Sequence, residues 1–126
     1  MYTYNAAVAY VVDGDTVDIM IDLGFRNFTK QRVRLAGIDA PEKNTEAGMN
    51  SKAWLVEQLI DPVTGGRKVV VKSEKPGAGD KYGRYLATIY LPELSTFSIN
   101  EALVAAGHAF VWDGTGVQPA TNRGTR

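Results

Sequence analysis

The residues with the clearest capacity for chemistry in this sequence are acidic and arginine side chains grouped in short segments. Four segments stand out: Asp13-Gly14-Asp15-Thr16, Arg34 to Glu42, Asp80 to Arg84, and Asn100-Glu101 followed by Ala-Leu-Val. Each segment alone has an ordinary structural explanation, because Asp-Gly is a common turn and Asp-x-Pro-Glu can begin a helix. Their chemical value therefore depends on whether the fold brings them together.

Three acidic residues, Asp15, Asp39 and Glu42, offer oxygen ligands for a cation. Asp15 lies at the end of the predicted strand 16–22, and regular alternation places it on the same face as the apolar Val17 and Ile19. A carboxylate on that face is costly to bury unless a cation or several donors satisfy it. Because the chain has no cysteine and one histidine, hard oxygen ligands favour calcium or magnesium over zinc.

Arg34 and Arg84 are the natural complement of a cation site, since a guanidinium fork matches the oxygens of a phosphate. Arg34 and Asp39 are five residues apart, so a regular strand would point them to opposite faces. They converge only if the strand bends, and Gly37 or the strand end before Pro41 could supply the bend. The sequence thus predicts a metal ion and two arginines around one phosphodiester.

Five strands and two helices must position these residues. Strands are predicted over 4–12, 16–22, 30–38, 67–73 and 84–91, with a turn at Asp13-Gly14. Helical spacing of apolar residues predicts a first helix from about Thr45 to Ile60, with Met49, Ala53, Val56 and Ile60 on its apolar face. A capping-box pattern from Ser98 to Glu101 predicts a short second helix.

This order of elements predicts an α+β fold, a five-stranded OB-type barrel with two helices. OB barrels bind nucleic acids and sugars, so the fold favours a polymer ligand without choosing a reaction. The length of 126 residues predicts a single domain over 1–113, and the Gly- and Thr-rich residues 114–126 predict a flexible tail.

Composition excludes a uniformly basic nucleic-acid binder, because 14 basic residues balance 14 acidic ones. The charges are nevertheless separated along the chain. Residues 1–25 hold four acids and no bases, residues 26–84 hold twelve bases and seven acids, and residues 85–126 hold two bases and three acids. Such separation allows a cation site and an anion site in one neutral protein.

Taken together and in order, the four segments resemble the staphylococcal nuclease, or thermonuclease, family. The resemblance runs from about Val8 to about Gly107. It implies an OB barrel with helices and a calcium-dependent phosphodiesterase that cleaves DNA and RNA at the 5′ P–O bond. In this resemblance Asp15 and Asp39 fall on the calcium ligands, and position 40 supplies a backbone carbonyl to the metal.

The resemblance also implies roles for the remaining charged residues. Arg34 and Arg84 fall on the two phosphate-binding arginines, and Glu42 falls on the carboxylate assigned to activating the attacking water. Lys81 and Tyr82 fall on residues near the nucleotide. The chain departs from the family at Ala40, where threonine is frequent, and after residue 114, where no helical pattern continues.

Three conspicuous residues lie outside these motifs. Trp112 is a candidate to stack on a nucleobase, as aromatic side chains do in single-strand binders. His108 is expected to be a packing or surface residue, and Trp54 a core residue.

An alternative reading is a non-catalytic OB-fold module that binds single-stranded nucleic acid or a protein partner. The enzyme is favoured because the chain retains all five charged positions of the family's site, which are Asp15, Arg34, Asp39, Glu42 and Arg84. We expect DNA and RNA as partners, with single strands preferred, a monomer, and no membrane contact. The first ten residues show no signal peptide, so a cytoplasmic protein is expected, or a secreted one if a leader has been removed.

Overall fold

The structure is a computed structural model that describes residues 2–73, 85–93, 96–112 and 119. Its helices are α1 (Glu46–Leu59) and α2 (Ile99–Ala105). Its strands are β1 (Tyr2–Asp13), β2 (Thr16–Asp22), β3 (Phe28–Leu35), β4 (Ile38–Asp39), β5 (Ile60–Asp61), β6 (Gly65–Gly66), β7 (Lys68–Ser73), β8 (Tyr85–Tyr90) and β9 (Phe110–Val111).

Five strands close into a barrel in the order β1-β2-β3-β8-β7. β3 and β8 pair in parallel, and the other neighbours are antiparallel. The predicted five-stranded OB-type barrel with two helices is confirmed. Within the described ranges, neither helix is long and apolar enough to cross a membrane. The predicted tail, 114–126, lies outside the described residues apart from Pro119.

The barrel interior is filled by branched aliphatic side chains. Val17 and Ile19 of β2, Leu35 of β3 and Ile89 of β8 have no exposed surface. Both helices cover the barrel with further leucines: Leu55 and Leu59 from α1 and Leu103 from α2. Burying each such side chain stabilises the fold by about 1.5–3 kcal/mol, so this core provides a rigid support for the loops at its ends.

The predicted apolar face of α1 is wrong. Met49 is 56% exposed and Ala53 and Val56 are also exposed, whereas the buried positions are Gly48, Ser51, Leu55 and Leu59. Two of these buried residues are not hydrophobic. Gly48 lies against the backbone of Glu42, and the hydroxyl of Ser51 donates to the carbonyl oxygen of His108 at 2.6 Å. This face therefore combines two core leucines with a close backbone approach at Gly48 and a hydrogen bond at Ser51.

Two predicted boundaries near the charged residues also shift. The third strand ends at Leu35 rather than at residue 38, because the chain turns at Gly37, which has φ of +78°. The first hairpin turn is formed by Gly14 and Asp15, since Asp13 already pairs with Thr16. Asp15 therefore lies in the turn itself, at one end of the barrel.

The segment Asn100-Glu101 is structural. Ser98 and Glu101 form the predicted capping box at the start of α2. The side chain of Asn100 is buried, accepts from Ile89 N at 3.1 Å, and donates to the carbonyl oxygens of Ala36 at 2.9 Å and Ala87 at 3.1 Å. It therefore ties α2 to β8 and to the turn after β3.

Candidate metal and phosphate site

Arg34 is the centre of a buried polar cluster at the end of β3. It is 7% exposed, and its Nη2 atom lies 3.3 Å from Asp15 Oδ2, 3.1 Å from Asp39 Oδ1 and 3.2 Å from the carbonyl oxygen of Ile38. The turn at Gly37 reverses the alternation between β3 and β4, so Arg34 and Asp39 point to the same place. The convergence predicted from a bend at Gly37 is confirmed.

Asp15 is held on both carboxylate oxygens. The hydroxyl of Thr16 donates to Oδ1 at 3.1 Å, and the backbone N–H of Ala40 donates to Oδ2 at 3.1 Å. The backbone N–H of Asp15 in turn donates to Oδ1 of Asp13 at 3.1 Å. The turn at Gly14 and Asp15 is thereby joined to the segment around β4, although the two are 25 residues apart.

Asp13 and Asp15 titrate in opposite directions. Burial, followed by the hydrogen bond and negative charge of Asp15, raises the pKa of Asp13 to about 6. Burial also opposes ionisation of Asp15, but its hydrogen bonds and the positive charge of Arg34 outweigh it and hold the pKa of Asp15 below its ordinary value. Below about pH 6, Asp13 is therefore the protonated member of the pair while Asp15 stays charged.

The guanidinium of Arg34 has donors that this cluster does not use. All three of its hydrogen bonds are made by Nη2, and no residue of the described part of the chain accepts from Nε or Nη1. Buried N–H groups without acceptors are costly, so the site fits an additional anion. The ring of Trp112 covers the guanidinium, with 5.1 Å between Arg34 Cζ and the ring centroid.

Asp15 and Asp39 together fit a hard cation. Each carboxylate places an oxygen within 3.3 Å of the same Arg34 nitrogen, so the two carboxylates are neighbours in the fold. No group of three or more acidic or histidine side chains suited to a metal occurs among the described residues. Calcium accepts mixed sets of carboxylates, backbone carbonyls and water, so two carboxylates and the Ala40 carbonyl are a suitable protein share.

Glu42 is exposed and lies on the segment between Asp39 and α1. Its carbonyl oxygen accepts from the backbone N–H of Thr45 at 3.0 Å and from the Thr45 hydroxyl at 2.7 Å, while that hydroxyl also accepts from Gly48 N and caps α1. A Cβ atom on Gly48 would lie 1.8 Å from this carbonyl oxygen. The start of α1 therefore sets the backbone position of Glu42.

A second arginine–aspartate pair on the same strands contrasts with the cluster. Arg32 contacts Asp18 through Nε at 2.8 Å and Nη2 at 3.2 Å, and the Arg32 side chain is 54% exposed. This fork-to-fork pair uses both donors on one edge of the guanidinium and is open to water. It provides a matched control for Arg34, which is two residues away on β3.

The sequence analysis missed two residues of the cluster, and three of the site residues that it predicts lie outside the described part of the chain. The sequence analysis treats Asp13 only as a turn residue and assigns no role to Thr16, whose hydroxyl donates to Asp15. The role of Asp13 could have been predicted, because in an Asp-x-Asp turn the first carboxylate can accept from the backbone N–H of the second aspartate. Lys81, Tyr82 and Arg84 lie outside the described residues.

Comparison with known proteins bears on this cluster. Residues 32–123, well over half of the chain, match the family described as Staphylococcal nuclease homologue. The chain belongs to the staphylococcal nuclease family. The matched range includes Arg34, Asp39 and Glu42, and the resemblance drawn from the sequence is confirmed.

Several relatives of this staphylococcal nuclease family member carry nuclease names. An "Uncharacterized endonuclease" of Escherichia coli O157:H7 is 31% identical over 115 residues, covering 91% of this chain and 65% of the relative. A "Micrococcal nuclease" of Shigella flexneri is 30% identical over 86% of this chain and 59% of its own length. "Protein ParB" of Escherichia coli is 34% identical over 83% of this chain and 55% of its own length. The chain thus spans less than two thirds of these relatives.

Proposed function

We propose that the chain is a calcium-dependent nuclease that hydrolyses phosphodiester bonds of DNA and RNA, cleaving the 5′ P–O bond and preferring single strands. The observation that carries the proposal is the state of Arg34. Two carboxylates hold one corner of its buried guanidinium, while Nε and Nη1 have no acceptor among the described residues. Membership of the staphylococcal nuclease family and the nuclease names of relatives support nuclease activity.

The proposed cation is calcium, held by Asp15, Asp39 and the backbone carbonyl of Ala40. When bound, calcium neutralises the phosphate and helps to orient the attacking water. Thr16 and the Ala40 N–H keep the Asp15 carboxylate oriented, and the positive charge of Arg34 keeps it ionised. These contacts give the proposed site its negative charge near neutral pH.

The proposed chemical step is an attack of water on phosphorus. Glu42 accepts a proton from the water, the water oxygen bonds to phosphorus, and the 5′ P–O bond breaks. The departing oxygen keeps the bonding electrons and takes a proton from solvent water. Arg34, through Nε and Nη1, and Arg84 stabilise the charge that grows on the phosphoryl oxygens. Lys81 and Tyr82 are proposed to contact the nucleotide.

The test uses heat-denatured DNA and RNA incubated with the purified chain, with calcium or with a chelator. Arg34→Ala is compared with Arg32→Ala, which removes a charge from the same strand outside the cluster. We expect calcium-dependent loss of polymer for the wild type and Arg32→Ala, and strong loss of activity for Arg34→Ala. Binding of single strands without cleavage would instead support the non-catalytic module.

A further inference from the structure

We propose that Trp112 is a positioning residue that orients the Arg34 guanidinium for the phosphate. This inference rests on the proposed function, because it assigns Trp112 a part in the same site. It replaces the expectation from the sequence that Trp112 stacks on a nucleobase. The structure provides three lines of support: the geometry of the ring contact, the backbone path that places the ring, and the distribution of hydrogen bonds on Arg34.

The ring contact lies in the range of a cation–π interaction. Arg34 Cζ is 5.1 Å from the Trp112 ring centroid, inside the limit of about 6 Å for such contacts. The arginine is 7% exposed, and desolvation strengthens a cation–π contact. The ring and the two carboxylates therefore act on the same buried charge.

Backbone pairing places the Trp112 ring. The N–H of Trp112 donates to the carbonyl oxygen of Gly37 at 2.9 Å, and β9 pairs with β4 so that Phe110 lies opposite Asp39. The two-stranded sheet thus carries a proposed calcium ligand, and Trp112 follows directly after the end of β9. Further back, the carbonyl of His108 accepts from Ser51 of α1 at 2.6 Å, which anchors the start of this segment.

The hydrogen bonds of Arg34 leave a degree of freedom that a ring contact removes. Asp15, Ile38 and Asp39 all accept from Nη2, so they fix one corner of the guanidinium. Rotation about that corner would redirect Nε and Nη1, the donors left for a phosphate. Contact with a flat ring restricts this rotation, so Trp112 sets the plane in which these donors lie.

Three substitutions test the inference. Trp112→Leu keeps an apolar side chain but removes the ring face, Trp112→Phe retains a ring, and Phe25→Ala removes a fully exposed aromatic residue far along the sequence as a control. The activity probes are a single-stranded oligonucleotide and the same backbone with abasic sites. Loss of a desolvated cation–π contact predicts a fall in kcat of about tenfold or more for Trp112→Leu.

If Trp112 orients Arg34, kcat falls on both probes while KM stays within about twofold, since the ring acts through the arginine in the transition state. Trp112→Phe recovers most of the rate, and Trp112→Leu adds little in an Arg34→Lys background because the two sites are coupled. An effect that appears only on the base-containing probe, mainly in KM, overturns the inference in favour of base stacking.

A readout independent of activity separates this inference from the proposed function. In the wild type the Arg34 Nε–H resonance in NMR spectra should carry the ring-current shift of Trp112, and this shift should disappear in Trp112→Leu. A wild type that cleaves neither polymer overturns the proposed function. An unchanged Arg34 resonance, or full cleavage by Trp112→Leu alongside an active wild type, overturns the positioning role alone.

Discussion

Arg34 and Asp39 are five residues apart, yet Arg34 Nη2 lies 3.1 Å from Asp39 Oδ1. The contact exists because Gly37 takes a positive φ of +78° between β3 and β4. One turn therefore converts two side chains of opposite parity into neighbours. Because the same arginine also contacts Asp15, the turn determines whether the proposed cation and phosphate sites adjoin.

Replacing Gly37 with alanine tests this relationship. A Cβ at Gly37 meets no atom within 4 Å, so the penalty is the strain of a left-handed residue, about 1–2 kcal/mol. Gly24→Ala is the matched control, since Gly24 has φ of +83° and equally open space in the β2–β3 turn. We expect similar losses of stability in thermal unfolding, but loss of cleavage only for Gly37→Ala. Equal activities would mean that the turn is not critical to the site.

The proposed catalytic residues predict a second result. Glu42→Gln removes the proton acceptor and Arg84→Ala removes a phosphate donor, so each should lower kcat by about 10²–10³. Binding of a single-stranded oligonucleotide should change much less, which steady-state kinetics and a direct binding assay can separate. Glu46→Gln, in the first turn of α1, is the control. Near-normal turnover in both Glu42→Gln and Arg84→Ala would contradict their assignment.

Gly48 links the start of α1 to Glu42. A Cβ there would lie 1.8 Å from the Glu42 carbonyl oxygen, so Gly48→Ala must move either the helix or the segment that carries Glu42. We expect a loss of about 1–3 kcal/mol in stability from this overpacking, and a fall in kcat with no change in calcium affinity. Met49→Ala changes the neighbouring exposed residue and should leave both quantities unchanged. A stable and fully active Gly48→Ala would show that this close approach is not required.

The ion pair between Asp18 and Arg32, which lies outside the proposed site, should make the stability of the fold depend on pH. The hydrogen bond and charge of Arg32, with a smaller contribution from Lys30, lower the pKa of Asp18. A lowered folded-state pKa stabilises the fold above the unfolded value of about 3.9, and this stabilisation is lost as pH falls through the folded-state pKa. Asp18→Asn should therefore lower Tm at pH 7 and at pH 5 alike, with the difference shrinking towards pH 3. A constant difference across that range would contradict the ion pair.

The parts of the fold predicted from the sequence depend on local signals. Glycine and proline mark the ends of strands, and the capping box marks the start of α2. Parity shows that a bend is needed between Arg34 and Asp39, at Gly37 or at the strand end before Pro41. These signals act within a few residues of one another. They were sufficient for the order of elements, and thus for the five-stranded barrel.

The parts that the sequence did not predict depend on contacts between distant segments. Gly48 and Ser51 belong to the buried face of α1 because they contact the distant residues Glu42 and His108. The contact of Trp112 with Arg34 needs β9 to pair with β4, and no periodicity reports a pairing of two-residue strands. Such features follow from packing and become visible only in the structure.

The calcium dependence of cleavage tests the proposal that this chain is a calcium-dependent nuclease with Asp39 as a calcium ligand. Initial rates on single-stranded DNA are measured across a calcium titration for the wild type, Asp39→Asn and Asp18→Asn, with a chelator baseline. We expect a wild-type rate that rises and saturates with calcium, a similar curve for Asp18→Asn, and a curve for Asp39→Asn shifted to higher calcium with a lower maximum. Cleavage that persists in chelator, or an Asp39→Asn curve that coincides with the wild type, would contradict the proposal.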